Sequence, residues 1–398
     1  MTNTTASMTQ TTTFRSGDAS TPDESVRPFT VAIPQVEIDD LNDRLLRTRF
    51  APSAPGDDWA YGVPTPWIAE LVEYWRTEFD WRALEEKINA VPHFLTEIDG
   101  QQIHFIHVRS REKNALPIVL THGWPGSFLE FLDMIDPLTN PVAHGGRAED
   151  AFDVVIPSVP GYAFSSPLVE GGWSSARVAA TWDTLMKRLG YERYGAHGGD
   201  GGSLIGRQLG LLNPVGLVGT HVLQLFSFPS GDPAEFEKLS QKDHESLATL
   251  ANFQARAGFS AMQSTRPQTV AHALSDSPAG LLAWNELIVG FGDGNLLSRD
   301  QVLGNVALYW FSNSAGSAAR QYYEDAKVTD HSAPAPVNEA PTGVSVFAND
   351  FRTIRAFADR ENSNIVYWSE HDEGGHFAAM EVPLALSEDL RDFFSALR

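Results

Sequence analysis

Five residues constrain this chain more than any others: Gly198-Gly199-Asp200-Gly201-Gly202. They follow an apolar-tending segment around Tyr194 and Ala196 and open into Ser203-Leu204-Ile205-Gly206-Arg207-Gln208-Leu209. A strand, a very tight turn and a helix in that order need small residues two before and two after the central one, and Gly198 and Gly202 supply them. Such a turn pushes the central side chain out above the end of a sheet, the geometry of a nucleophile elbow. The exposed side chain here is a carboxylate, Asp200. A carboxylate that attacks carbon makes an alkyl ester of the enzyme itself, so its natural targets are strained or activated saturated carbons, as in epoxides or alkyl halides.

Around this turn the apolar pattern has the period of buried strands alternating with helices. Leu116–Leu120, Phe152–Pro157, Gly216–Leu223, Val344–Phe347 and Asn364–Trp368 are short apolar runs separated by helical patterns. That arrangement predicts an α/β fold: a mostly parallel sheet with helices on both faces. Before it, Ile38–Phe50 reads as an amphipathic helix with acids early and bases late, and Pro64–Glu86 as an aromatic-rich helical pair or a meander. Phe94–Val108 reads as a hairpin turning at Asp99-Gly100. Between Leu223 and about Val328 the pattern is helical and without strand runs, which predicts a cap over the carboxyl edge of the sheet, where ligand sites of α/β folds lie. The expected organisation is a disordered tail over 1–26, an N-terminal extension over 27–110, core over 111–223, cap over 224–328 and core again over 329–398.

Three further segments gain meaning from the elbow. Thr121-His122-Gly123-Trp124-Pro125-Gly126-Ser127 directly follows a strand, so the Trp124 backbone N–H can be aimed at Asp200. With the N–H of Gly201 it would form a two-donor oxyanion pocket, each donor contributing about 3 kcal/mol to a transition state. Glu373-Gly374-Gly375-His376-Phe377-Ala378-Ala379 is a loop that can deliver His376 over the sheet as the base, in the chain order nucleophile, acid, histidine. The acid is expected at Asp350, after the Val344–Phe347 strand, where it can fix the imidazole tautomer. Asp372 and Glu373 compete for that role, and Asp350 has a blander reading as the cap of a helix over Phe351–Arg360.

His122-Gly123-Trp124-Pro125-Gly126-Ser127, Gly198-Gly199-Asp200 and Gly374-Gly375-His376-Phe377-Ala378-Ala379 together resemble the microsomal-type epoxide hydrolases of the α/β-hydrolase fold. The segment from Arg27 to about Arg109 resembles that family's N-terminal extension, and Pro157-Ser158-Val159-Pro160-Gly161-Tyr162-Ala163-Phe164-Ser165 resembles a further family motif. The resemblance implies ether-bond hydrolysis of an epoxide to a vicinal diol, through an ester on Asp200 hydrolysed by water that His376 and Asp350 activate. It implies no cofactor and no metal. It also implies two cap tyrosines as donors to the epoxide oxygen. The second falls at Tyr322, with Tyr323 as the register alternative. The first falls at Phe259, which cannot donate; Gln263 is a candidate substitute. Phe259, Gln263 and Phe128 are the expected pocket residues, and the aromatic cap fits a bulky or aryl epoxide.

A formal charge of −22, from 51 acids against 29 bases, repels nucleic acid and anionic membranes. Cysteine is absent, which removes disulfides, thiolate nucleophiles and thiolate metal sites. No run approaches the about 18 apolar residues of a membrane helix, and the first residues lack the apolar core of a secretory signal; a cytoplasmic location is expected. The aromatic N-terminal part can support a homodimer. Two other readings compete. A haloalkane or haloacid dehalogenase would use the same Asp and His, but such enzymes often carry a halide-binding Trp where this chain has Gly201. A non-catalytic binding protein on the same scaffold would be expected to lose the base or the acid, and candidates for both are present.

Overall fold

Apolar β-rich runs bounded by Gly, Pro and Asp give this chain its strands. The computed structural model describes residues 23–56, 59–293, 296–328 and 335–398; the expected tail lies almost wholly outside them. Nine strands form one sheet: β1 (Arg27–Phe29), β2 (His93–Ile98), β3 (Gln101–Val108), β4 (Leu116–Thr121), β5 (Phe152–Pro157), β6 (Tyr194–Gly198), β7 (Leu217–Val222), β8 (Thr342–Val346) and β9 (Ile365–Glu370). Their order is β1-β2-β3-β5-β4-β6-β7-β8-β9. The first three strands run antiparallel, and β3 meets β5 antiparallel; from β5 across to β9 every pairing is parallel. The hairpin turns where Asp99 and Gly100 both take positive φ (52° and 74°), the conformation that two-residue turn needs. Ile118, Val119 and Leu120 of β4 are fully buried, each side chain contributing about 1.5–3 kcal/mol over exposure. The expected α/β-hydrolase fold is the one observed.

Helices cover both faces. The extension supplies α1 (Gln35–Leu46), α2 (Thr65–Thr77) and α3 (Trp81–Asn89); the core supplies α4 (Ile135–Thr139), α5 (Ser175–Arg188) and α6 (Gly201–Leu212). The described residues of the cap hold six α-helices: α7 (Gln241–Arg256), α8 (Gly258–Thr265), α9 (Pro267–Leu274), α10 (Pro278–Trp284), α11 (Arg299–Phe311) and α12 (Ala315–Val328). The chain closes with α13 (Arg355–Glu361), α14 (Ala378–Glu381) and α15 (Pro383–Ser395). Among the described cap residues there is no strand. The helix expected over Ile38–Phe50 starts earlier and stops earlier. Pro34 sets its entry, and the Arg47 N–H closes it on the Arg44 and Leu45 carbonyls, leaving Leu46 in solvent. Helices α1 and α2 pack on α10, and α3 packs on α11, so the extension braces the cap as well as widening the sheet. No described helix is long and apolar enough to cross a membrane.

The parallel register is what positions the site. Strands β4, β6, β7, β8 and β9 are successive neighbours and point the same way. Their carboxyl ends therefore bring Trp124, Asp200, Gln224, Asp350 and His376 to one edge of the sheet, the edge at which α/β folds hold ligands.

Candidate active site

Asp200 stands between β6 and α6 with φ 50° and ψ −122°, a strained conformation for a residue with a side chain. The turn is possible because Gly198 has no side chain: a Cβ there would come within 2.0 Å of the Gly202 carbonyl oxygen. Across from it, the Trp124 N–H donates to Asp200 Oδ1 at 2.9 Å. Gly123 makes that approach possible, since a Cβ on it would lie 2.2 Å from Asp200 Oδ1 and 2.4 Å from the Gly201 nitrogen. Of the two expected oxyanion donors, the Trp124 N–H bonds the Asp200 carboxylate directly, and the Gly201 nitrogen faces Gly123 beside it. Helix α11 clamps the turn from the far side: Tyr309 donates to the Gly126 carbonyl at 2.7 Å, Asn305 Nδ2 donates to the Pro125 carbonyl, and Ser127 donates to Asn305 Oδ1 at 2.6 Å.

His376 arrives on the loop after β9. Its Nδ1 is 2.8 Å from Asp350 Oδ1, and its Nε2 is 3.4 Å from Asp200 Oδ2, an ion-pair distance without hydrogen-bond alignment. All three side chains are largely buried. Burial alone would lower the imidazole pKa, but the Asp350 and Asp200 carboxylates oppose it and hold the ring well above its ordinary value. The two carboxylates thus favour the protonated ring. Asp350 is not a helix cap: α13 begins later, at Arg355, with Ile354 in the cap position. Asp372 and Glu373 point into solvent. The Asp350–His376 pair also lines a cleft of about 290 Å³, whose other walls include Leu250, Phe253, Phe291 and Phe351.

The cap faces this array with aromatic rings. Phe259 stacks on Trp124 with ring centres 4.6 Å apart, and touches Phe253, Phe291 and Tyr322. Tyr322 sets its ring edge-on to Trp124 at 6.1 Å. Burial, reinforced by the charge of Asp200, pushes its phenol well above the usual range, so it stays protonated as a donor. Among the described residues its hydroxyl has no hydrogen-bond partner. Tyr323, the register alternative, is turned outward, 39% exposed, under the Lys327 ammonium. Gln263 lies one turn along α8 from Phe259, fully buried; its Oε1 accepts from the Trp284 indole at 3.1 Å and its Nε2 has no partner. Among the described residues no cluster of His, Cys, Asp or Glu could hold a metal ion.

This geometry agrees with what the chain is similar to. Residues 26–131 match the family model described as the epoxide hydrolase N terminus, and residues 117–281 match the alpha/beta hydrolase fold model. A Stigmatella aurantiaca relative is 44% identical over 94% of this chain and 86% of its own. Epoxide hydrolase 1 of Sus scrofa is 34% identical over 95% of this chain and 90% of its own. The chain belongs to the microsomal-type epoxide hydrolases. Among solved structures, the juvenile hormone epoxide hydrolase of Bombyx mori superposes with a TM-score of 0.84 at 28% identity, covering 95% of this chain and 96% of that one. The Aspergillus niger epoxide hydrolase gives 0.81 at 33%, covering 95% and 98%.

In this epoxide hydrolase one expected pocket residue is elsewhere. Phe128 is fully buried against His93, His104 and Phe164. The 3₁₀ turn over Phe128–Met134 carries it down into the core, away from the Trp124–Phe259 stack. Other groups near the epoxide hydrolase site had no role assigned from the sequence, although Tyr162 lies within the Pro157–Ser165 motif. Tyr162 donates to Gln321 Oε1 at 3.0 Å, and Gln321 lies beside Gly201. Glu130 is a buried carboxyl whose pKa burial pushes up to about 8, with His376 opposing and Asp200 adding to the rise. Gln224, two residues past β7, bonds both the elbow and Asp350. A lone Gln after a strand carries no motif, and only the shared strand edge gives it a place.

Proposed function

We propose that this epoxide hydrolase works through a covalent ester on Asp200. The carboxylate attacks an epoxide carbon while Tyr322 hydrogen-bonds the oxirane oxygen and takes up the alkoxide charge that develops. Ester formation neutralises Asp200, so one of the two carboxylates that hold His376 protonated is gone. The imidazolium can then give its proton to the alkoxide, completing the first hydroxyl, and the neutral ring acts as base, with Asp350 alone stabilising the imidazolium that forms again when it deprotonates water. That water attacks the ester carbonyl, and the Trp124 and Gly201 N–H groups receive the oxyanion. Collapse breaks the bond between the Asp200 carbonyl carbon and the substrate oxygen, and the proton of the added hydroxyl passes to that leaving oxygen, which returns the Asp200 carboxylate and releases a vicinal diol.

One observation carries this reading: His376 sits between the two carboxylates, bonded to Asp350 at 2.8 Å and 3.4 Å from Asp200. A base for water and a free nucleophile are thereby offered at one point. Phe259 in place of a first donor leaves Tyr322 as the principal donor, and the stack of Trp124 and Phe259 favours bulky or aryl epoxides. The test is a single turnover in 18O-labelled water with excess enzyme and styrene oxide. The first diol should carry no label, and the label should appear in the Asp200 carboxylate. Labelled diol from the first turnover with unlabelled Asp200 would mean direct attack by water.

A further inference from the structure

Gln224 ties the nucleophile's backbone to the acid that orients the base. The side chain is 1% exposed. Its Oε1 accepts the Asp200 N–H at 2.6 Å and the Ser203 hydroxyl at 3.2 Å. Its Nε2 donates to Asp350 Oδ2, while the other oxygen of Asp350, Oδ1, takes His376 Nδ1 at 2.8 Å. Its own N–H meets the Ser203 hydroxyl at 3.2 Å, and Ser203 in turn donates to the Gly198 carbonyl at 2.8 Å. The amide is therefore fixed by the elbow and in turn fixes Asp350.

A carboxylate held at one oxygen is free to swing about its Cβ–Cγ bond. Held at both, it has one plane, and the imidazole bonded to it has one direction. A neutral amide suits the position for a second reason. Of its two ends one must accept, from the Asp200 N–H, and the other must donate, to Asp350; neither an ionised carboxyl nor a hydrocarbon can do both. We propose that Gln224 is a positioning residue for the second half-reaction: it locks Asp350 so that His376 is aimed at the water that hydrolyses the Asp200 ester. The proposal rests on the ester mechanism above.

Gln224→Glu separates the two ends of the amide. It keeps an oxygen for the Asp200 N–H and replaces the donor by a carboxyl. Protonated, that carboxyl can still donate to Asp350; ionised, it cannot. The titratable groups around it are Asp200, Asp350 and His376, with Glu381 acting on Asp350 at longer range. Rapid-quench single turnovers with styrene oxide, from pH 5 to 9, read epoxide consumption and ester hydrolysis separately. For Gln224→Glu, consumption should stay within about threefold of wild type. Its hydrolysis should fall about 10- to 100-fold as pH rises, so that ester accumulates at high pH. In an Asp350→Ala background the same change should alter hydrolysis less than about twofold. A ratio of variant to wild-type hydrolysis that is flat with pH, or equal losses in both half-reactions alongside a lowered Tm, would overturn the positioning role. Absence of any ester in the wild type would instead overturn the mechanism on which it rests, so the two failures are told apart in one experiment.

Discussion

Two histidine–aspartate arrays lie against the same strands, and one of them borders a cleft. At the carboxyl edge, His376 lies between Asp350 and Asp200 and borders a cleft. On the face covered by α15, His197 Nδ1 meets His221 Nδ1 at 3.0 Å, His221 Nε2 meets the Ser345 hydroxyl at 3.0 Å, and Ser345 donates to Asp389 at 2.5 Å. Asp389 also receives Ser369, Tyr367 and His371, at 2.7, 2.9 and 2.7 Å. The second array has more hydrogen bonds, yet two of its imidazoles, His221 and His197, are pushed the other way. Burial lowers His221 to about 4, against the pull of Asp389, and lowers His197 well below its ordinary value. Asp389 reaches His221 only through a hydroxyl and shares its charge among four donors, so the buried rings stay neutral. His376 has two carboxylates at close range and an open side. Proximity to an aspartate does not make a histidine a base; direct charge and access do.

The comparison is sharpened most by His376→Gln. Turnover should fall about 10⁴-fold, with the Asp200 ester accumulating to one equivalent in the mass of the intact protein. Turnover within tenfold of wild type would erase the distinction between the arrays. Tyr322→Phe comes next. With one donor facing the elbow, epoxide consumption should slow about 10²-fold while hydrolysis of ester already formed is little changed; an unaffected rate would remove Tyr322 as the donor. Asp389→Asn probes the other array. It should cost about 2 kcal/mol in urea unfolding and leave kcat within about twofold; a large loss of kcat at unchanged stability would mean that the buried array serves the chemistry.

The smallest effect is a slope with pH. A folded pKa of about 4 for His122 and His221 means that the unfolded chain binds more protons below pH 6.5, so these groups remove stability as pH falls. Each should cost about 1 kcal/mol by pH 5.5. His376 slopes oppositely: its raised folded pKa gives stability that is full below its unfolded value and is lost as pH rises through the folded one. Urea unfolding of His221→Gln should show a shallower acid loss than wild type; parallel curves would contradict the burial argument.

Much of the fold was legible because period and turn chemistry agreed. The Asp99-Gly100 hairpin and the runs at Leu116, Phe152 and Val344 all became strands within a residue or two. The core half of the candidate site was legible for a related reason: Asp200, Trp124 and His376 sit beside glycines, and close backbone approach leaves a mark in sequence. The cap half is held by side-chain contact, which leaves none. Phe128 follows the oxyanion turn in sequence, yet the 3₁₀ turn sends it to the core. The outward turn of Tyr323 follows from helix phase on α12, which sequence spacing fixes only once the partner helix α8 is known. Gln224 had to wait for the register of β7 beside β6.

The space that Gly123 and Gly198 lack also divides the molecule by its tolerance of change. In a saturation library, those two positions would return almost no active clones whatever residue was tried, because any side chain collides with backbone or with Asp200. At Phe259, whose neighbours are other rings and not backbone atoms, replacements meet side chains that can repack. New preferences among epoxides can therefore be selected at such cap positions, Tyr322 apart, without disturbing a reacting atom, and an inherited chemistry can outlast many changes of substrate.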